Sequence, residues 1–119
     1  ADGLDDFLAQ SDILINVLPL TAQTQGMIGA ELMAKLPQGA AIIHIGRGGQ
    51  VDETALVEAI DSGHLSGASV DVFETEPLPQ GHPFWSHPRI FITPHVASIP
   101  VPENVVLAIR ARMLDLQPA

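Results

Sequence analysis

Apolar residues recur along this chain with two periods. Ile13-Leu14-Ile15-Asn16-Val17-Leu18, Ala40 to Ile45 and Ala68 to Val72 are near-continuous apolar runs of strand length, the pattern of strands buried on both faces. Pro19 ends the first, because proline cannot donate to a sheet ladder. Arg89 to Thr93 reads as a short fourth strand. Between these runs the spacing turns helical. Leu4 to Gln10 places Leu4, Phe7 and Leu8 on one face and stops at Ser11-Asp12. Thr21 to Gly26 is a polar loop, after which Gly29-Ala30-Glu31 opens a helix running to about Leu36, closed by Pro37 and Gly39. Asp52 caps a third helix, with Ala55, Leu56, Ala59 and Ile60 as its stripe and Gly63 as its stop. Glu76 to Pro88 holds four prolines, a glycine and the sole tryptophan, an ordered irregular loop. A last helix is predicted from Pro102 to Leu116, with Val105, Val106, Ile109, Met113 and Leu116 on one face.

Strand and helix therefore alternate, which predicts an α/β domain with a mainly parallel sheet. Right-handed crossovers should lay helices on both faces. No internal repeat or low-complexity linker interrupts the 119 residues, a length that fits one small domain. A dinucleotide-binding fold begins with strand, G-x-G-x-x-G and helix, and that motif does not occur. The chain opens in a helix, as though cut from the middle of a longer protein.

Charge narrows the field of partners. The formal net charge of −9 repels phosphate backbones and anionic membranes, so neither nucleic acid nor a membrane surface is an expected partner. No apolar run approaches the ~20 residues of a membrane helix, and the first residues lack a signal peptide's basic region. A soluble cytoplasmic protein is the expectation. The chain has no cysteine, which excludes disulfides and thiolate chemistry. His44, His64, His82 and His87 show no spacing that compels a metal site.

The candidate chemistry lies where the strands end. In an open parallel sheet, ligands bind beyond the carboxyl ends of the strands. Three runs lead there into Arg47, Glu76 and His95. Of the five cations, only Arg47 sits in a glycine-rich turn after a strand. A guanidinium can hold a carboxylate by a bidentate fork, and Gly46, Gly48 and Gly49 allow close backbone approach. A histidine can deliver a proton near neutral pH, and a carboxylate beside it favours the imidazolium. Together they suggest reduction or oxidation of an anionic carbonyl compound. Simpler readings stand beside this one: His95 as a strand-end cap, Glu76 as a solvated loop acid with Glu74 as its local competitor, Arg47 as a surface residue. Asp71 lies among apolar neighbours, where an unpaired carboxylate is costly, and its simpler reading is a buried structural acid bonded to backbone amides. Trp85 either packs the proline-rich loop, the reading preferred here, or reaches an active site.

Four motifs carry a resemblance. Leu18-Pro19-Leu20-Thr21 with Thr24, Ile45-Gly46-Arg47-Gly48-Gly49-Gln50-Val51-Asp52-Glu53, Asp71-Val72-Phe73-Glu74-Thr75-Glu76-Pro77-Leu78 and Thr93-Pro94-His95-Val96-Ala97-Ser98 occur in order. In that order and spacing the chain resembles the D-2-hydroxyacid dehydrogenase family over essentially its whole length. Phe84-Trp85-Ser86-His87-Pro88 and His95 to Pro100 most resemble its glyoxylate/hydroxypyruvate reductase A branch.

The resemblance implies a Rossmann-like doubly wound parallel sheet, incomplete here because the first strands and the glycine-rich loop are absent. Residues 1–119 would be the carboxyl-terminal part of an NAD(P)-binding domain, with 100–119 a helix leading back towards a substrate domain. It further implies NAD or NADP as cofactor, with NADPH favoured by the branch, a small 2-keto acid as substrate and a homodimer in the complete protein. Arg47, Glu76 and His95 would be catalytic. Leu18, Pro19, Thr24, Ile45, Gly46, Arg47, Asp71, His95 and Ser98 would meet the cofactor, Asp71 through the nicotinamide carboxamide. His44 stands where the family commonly has asparagine. Glu76 argues against the formate dehydrogenases, which carry glutamine there. The rival reading is a non-catalytic dinucleotide sensor, like the corepressors that share this fold and keep the triad. The stretch by itself is expected to bind dinucleotide weakly and to turn nothing over.

Overall fold

The computed structural model of the chain describes residues 2–97 and 102–115. Its elements run α1 (Asp2–Ala9), β1 (Ile13–Asn16), α2 (Ala30–Ala34), β2 (Ala40–His44), α3 (Glu53–Asp61), β3 (Leu65–Val70), β4 (Ile90–Ile92) and α4 (Pro102–Asp115). Single 3-10 turns occupy Gly48–Gln50 and Pro83–Trp85. All four strands are parallel, in the order β1-β2-β3-β4. The α/β parallel architecture read from the alternation is the one observed.

The elements begin and end for local reasons. The Asp52 carboxylate accepts the Ala55 N–H at 3.0 Å, satisfying one of the donors that a helix start leaves free. Gly63 takes φ 83° just beyond the last turn of α3, in the left-handed region that glycine enters without cost. One face of the sheet carries the core. Leu14, Ile42, Ala68, Val70 and Ile90 point into it and meet Leu8, Met33, Leu36, Leu56, Ile60 and Phe84. Fully burying each large aliphatic there stabilises the fold by roughly 1.5–3 kcal/mol over leaving it in water.

The opposite face departs from expectation. Ile13 and Ile15 are 58% and 55% exposed and Phe91 is 72% exposed, so β1 is buried on one face rather than two. The strand order explains this. Successive crossovers of one hand, stepping always in the same direction across a sheet, place their helices on the same side. Helices reach both faces only where the order reverses, and these four strands contain no reversal.

Boundaries moved as well. β1 ends at Asn16 rather than Leu18, and β3 begins at Leu65, pairing Leu65 with Ala40 before a register shift. In α1 only Leu8 of the predicted face is buried; Leu4 and Phe7 are exposed. Val106 and Ile109 of α4 are exposed. The side chains of Val105 and Met113, and Leu116 altogether, lie outside the described residues.

Candidate active site

The turn after β4 is built around a buried acid. Asp71, just past β3, is 3% exposed. Its Oδ1 accepts from the Thr93 hydroxyl at 2.6 Å and from the Val96 N–H at 2.8 Å, and its Oδ2 from the Ala97 N–H at 3.0 Å. Burial raises its pKa and is the largest single influence. The Thr93 hydroxyl, the two amides and the nearby His95 together outweigh it and hold the carboxyl below its ordinary value. The backbone carbonyl of Asp71 takes the His95 N–H at 2.8 Å. These bonds keep His95 at φ 57°, a left-handed conformation disfavoured for a residue with a Cβ. The strain is local, and it aims the imidazole.

The imidazole meets Glu76. His95 Nδ1 lies 2.7 Å from Glu76 Oε2, while Glu76 Oε1 accepts the Phe73 N–H at 3.1 Å. The bond from His95 is the main cause that lowers the Glu76 pKa; partial burial opposes it and the Phe73 amide assists. An ionised carboxylate can only accept, so Nδ1 carries the hydrogen and Nε2 faces outward. Glu74 takes no part: its N–H donates to Glu53 Oε1 at 2.8 Å and its side chain is exposed.

Arg47 occupies the neighbouring turn. A Cβ built on Gly48 would stand 1.8 Å from the Phe73 carbonyl oxygen, so only glycine lets the turn after β2 lie against the turn after β3. The Arg47 guanidinium donates from Nη1 to the Gly46 carbonyl at 2.8 Å. Among the described residues it forms no ion pair. Its charge is thus available to an anion.

Two recesses open at this edge of the sheet. A cavity of about 510 Å³ is lined by Phe73, Glu76, Leu78, Trp85, Ile92 and His95 among others. A groove of about 470 Å³ runs between the carboxyl ends of β1 and β2, along Val17, Leu18, Pro19, Ile45, Gly46 and Arg47. Arg47 and His95 therefore border different recesses of this chain. Trp85 lines the cavity, 59% exposed, with its indole N–H bonded to the Pro79 carbonyl of the same loop at 2.9 Å.

The groove has a partly apolar lining. Val17, Leu18 and Leu20 are exposed apolar side chains there, beside an unpaired guanidinium. Thr24 does not line it; its hydroxyl donates to the Pro19 carbonyl at 2.8 Å. Ser98 lies outside the described residues. Among those described, no cluster of histidines and carboxylates could hold a metal ion, and no helix is long and apolar enough to cross a membrane.

Sequence reasoning passed over a second set of residues. Asn16, His44 and Gln50 are buried polar side chains bonded to one another beneath the Arg47 turn. Burial lowers the His44 pKa, against the Arg47 backbone and the Glu53 charge. The available signal was a polar residue inside each of two apolar runs, since most buried polar groups find partners; His44 Nε2 is an exception, with none among the described residues. The other omission is Glu53, whose Oε2 holds His82 Nε2 at 2.7 Å and ties the loop bearing Glu76 to the start of α3.

Comparison with known proteins places the chain in a family. Residues 1–97 match the family described as D-isomer specific 2-hydroxyacid dehydrogenase, NAD binding domain. A glyoxylate/hydroxypyruvate reductase A from Salmonella paratyphi B is 46% identical over 116 residues, covering 98% of this chain and 37% of that protein. Among solved structures, a D-isomer specific 2-hydroxyacid dehydrogenase from Xanthobacter autotrophicus Py2 in complex with NADPH and MES superposes with a TM-score of 0.83 at 45% identity, over 99% of this chain and 50% of that one. The NADPH-dependent glyoxylate/hydroxypyruvate reductase from Sinorhizobium meliloti, in complex with NADP and sulfate, gives a TM-score of 0.85 at 40% identity, over 99% and 40%. The chain thus spans about 37% of the length of the curated relatives it matches.

Proposed function

The chain belongs to the D-isomer specific 2-hydroxyacid dehydrogenases, and from that premise we propose that the complete protein reduces a small 2-keto acid, glyoxylate or hydroxypyruvate, to the 2-hydroxy acid. The observation that carries the reading is the Glu76–His95 pair at 2.7 Å, with Nε2 turned outward from a strand end. The nicotinamide, when bound, supplies the hydride that goes to the carbonyl carbon. His95 Nε2 gives its proton to the carbonyl oxygen, where negative charge develops. Glu76 holds Nδ1–H, orients the ring and stabilises its cationic form before transfer. Arg47 takes the substrate carboxylate with its unpaired guanidinium.

Leu18 and Pro19 would flank the ribose and adenosine side of the cofactor, with Ile45 and Gly46 across the groove. Asp71 Oδ2, with one lone pair beyond its bond to Ala97, would accept from the carboxamide. NADPH is the expected donor, since the Sinorhizobium meliloti and Xanthobacter autotrophicus proteins hold NADP or NADPH. Residues 100–119 would lead back to a substrate domain, and the complete protein would be a cytoplasmic homodimer.

The test follows NADPH and NADH absorbance with glyoxylate, hydroxypyruvate and pyruvate. The complete protein should oxidise NADPH with the first two. His95→Ala should cut kcat on the order of 10²–10⁴-fold, the usual contribution of a positioned proton donor. Arg47→Ala should raise the keto-acid KM. Unchanged turnover in both variants would sink the assignment. Tight dinucleotide binding without oxidation would point instead to the sensor reading.

A further inference from the structure

Gln50 is 0% exposed, yet its side chain makes five hydrogen bonds. Its orientation is settled by backbone partners. The Arg47 N–H can only donate, so the atom 2.9 Å from it is the amide oxygen. That oxygen also accepts from Asn16 Nδ2 at 2.7 Å. The amide nitrogen then donates to the Leu18 and Pro19 carbonyls, each at 2.9 Å. Gly46 closes the arrangement, because a Cβ there would stand 2.3 Å from the Gln50 oxygen.

The bonds of one buried amide are therefore divided mainly between two turns. Its oxygen holds the Arg47 turn and the Asn16 side chain at the end of β1, and its nitrogen holds the Leu18-Pro19 turn, with a longer bond to the Thr24 hydroxyl at 3.3 Å. Those turns form the two walls of the groove. We propose that Gln50 is a positioning residue that sets the separation of these walls, coupling the site of the keto-acid carboxylate at Arg47 to the site of the dinucleotide at Leu18-Pro19. It touches neither ligand. The inference rests on the reading of Arg47 and the groove given above and adds the residue through which they act together.

Two substitutions separate the halves of the bridge. Gln50→Met keeps length and loses both. Gln50→Glu keeps the oxygen that accepts from Arg47 and Asn16, loses the donors, and sets a carboxylate oxygen against the Leu18 and Pro19 carbonyls. In the complete protein, NADPH affinity would be read from its fluorescence on binding without substrate, and keto-acid KM and kcat from turnover at saturating NADPH, with Tm for each variant. Gln50→Met should raise both the NADPH Kd and the keto-acid KM about tenfold, a size in keeping with the ~10²-fold penalties of ångström-scale misplacement. Gln50→Glu should raise the NADPH Kd by a similar factor and change the keto-acid KM less than about twofold.

Gln50→Met with both constants as in the parent protein, or with only one of them moved, overturns the coupling whatever happens to Tm. If Gln50→Met does not fold, Gln50→Glu decides alone: a raised Kd with KM retained supports the proposal, and an unchanged Kd overturns it. Arg47→Ala, run in parallel, separates the two levels. A normal keto-acid KM in that variant overturns the reading of Arg47 and this proposal with it. A raised KM there with a normal Gln50→Met overturns the role of Gln50 alone.

Discussion

Single residues at this site act mainly by fixing others, and Asp71 is the clearest case. Its buried carboxylate is tied to Thr93, Val96 and Ala97, the residues on either side of His95. Charge-assisted bonds of this kind contribute roughly 1.5–3 kcal/mol each before non-additivity. Asp71→Asn should therefore cost about 2–3 kcal/mol at neutral pH, measured by denaturant unfolding, because one acceptor is replaced by an NH₂ facing amide donors. The pH dependence follows from the direction of its shift. A carboxyl held below its ordinary 3.8 stabilises the fold fully above that pH, and the contribution is lost as pH falls through the folded value. The gap between parent and Asp71→Asn should accordingly narrow below about pH 4. A gap of constant size from pH 7 to pH 3 would refute the ionic account.

At the scale of elements, the irregular loop is held along α3 at both ends. Near the helix start, Glu53 accepts the Glu74 N–H and pairs with His82 in a largely buried setting. The His82 Nδ1 accepts the Phe84 N–H, so the hydrogen on its ring points to Glu53. Near the helix end, Asp61 pairs with His87 at 2.7 Å; the His87 side chain is 9% exposed, but the Asp61 carboxylate is 60% exposed and stays solvated. Burial decides which clamp matters. Glu53→Gln, or His82→Ala, should destabilise by about 1–3 kcal/mol and lower kcat, because the loop carries Glu76. Asp61→Asn should cost no more than about 1 kcal/mol, the range of exposed pairs, with kcat unchanged. Equal losses at the two ends would show that the loop is not anchored through Glu53.

For the whole molecule, the consequence of a monotonic strand order is an apolar face with no cover among the described residues. Ile13, Ile15, Val17 and Phe91 are exposed on the sheet or at its edge. Exposed apolar patches bind other apolar surface. The stretch of residues 1–119 made on its own should self-associate and bind an apolar dye, and should bind NADPH more weakly than micromolar with no turnover of keto acids. Micromolar NADPH affinity measured by calorimetry on that stretch would contradict the expectation.

The sequence by itself determined the α/β alternation, the Asp52 cap, the Gly63 stop and the positions of Arg47, Glu76 and His95 at strand ends. Such features rest on local periodicity, on turn chemistry and on motif order, which are all written along the chain. It preferred Glu76 to Glu74 through the motif, and in the fold Glu76 accepts from the Phe73 amide and meets the His95 ring. Three things were decided only in three dimensions. The strand order set which faces of β1 and β4 are covered, because order is a property of pairing between distant segments. The bonds that occupy Asp71 come from residues more than twenty positions away. The Gln50 bridge joins segments 31 and 34 residues apart, and nothing in the spacing of Asn16, His44 and Gln50 announces that they meet. A buried polar group has to find its partners wherever the packing brings them, and that is settled by the tertiary fold rather than by neighbours in sequence.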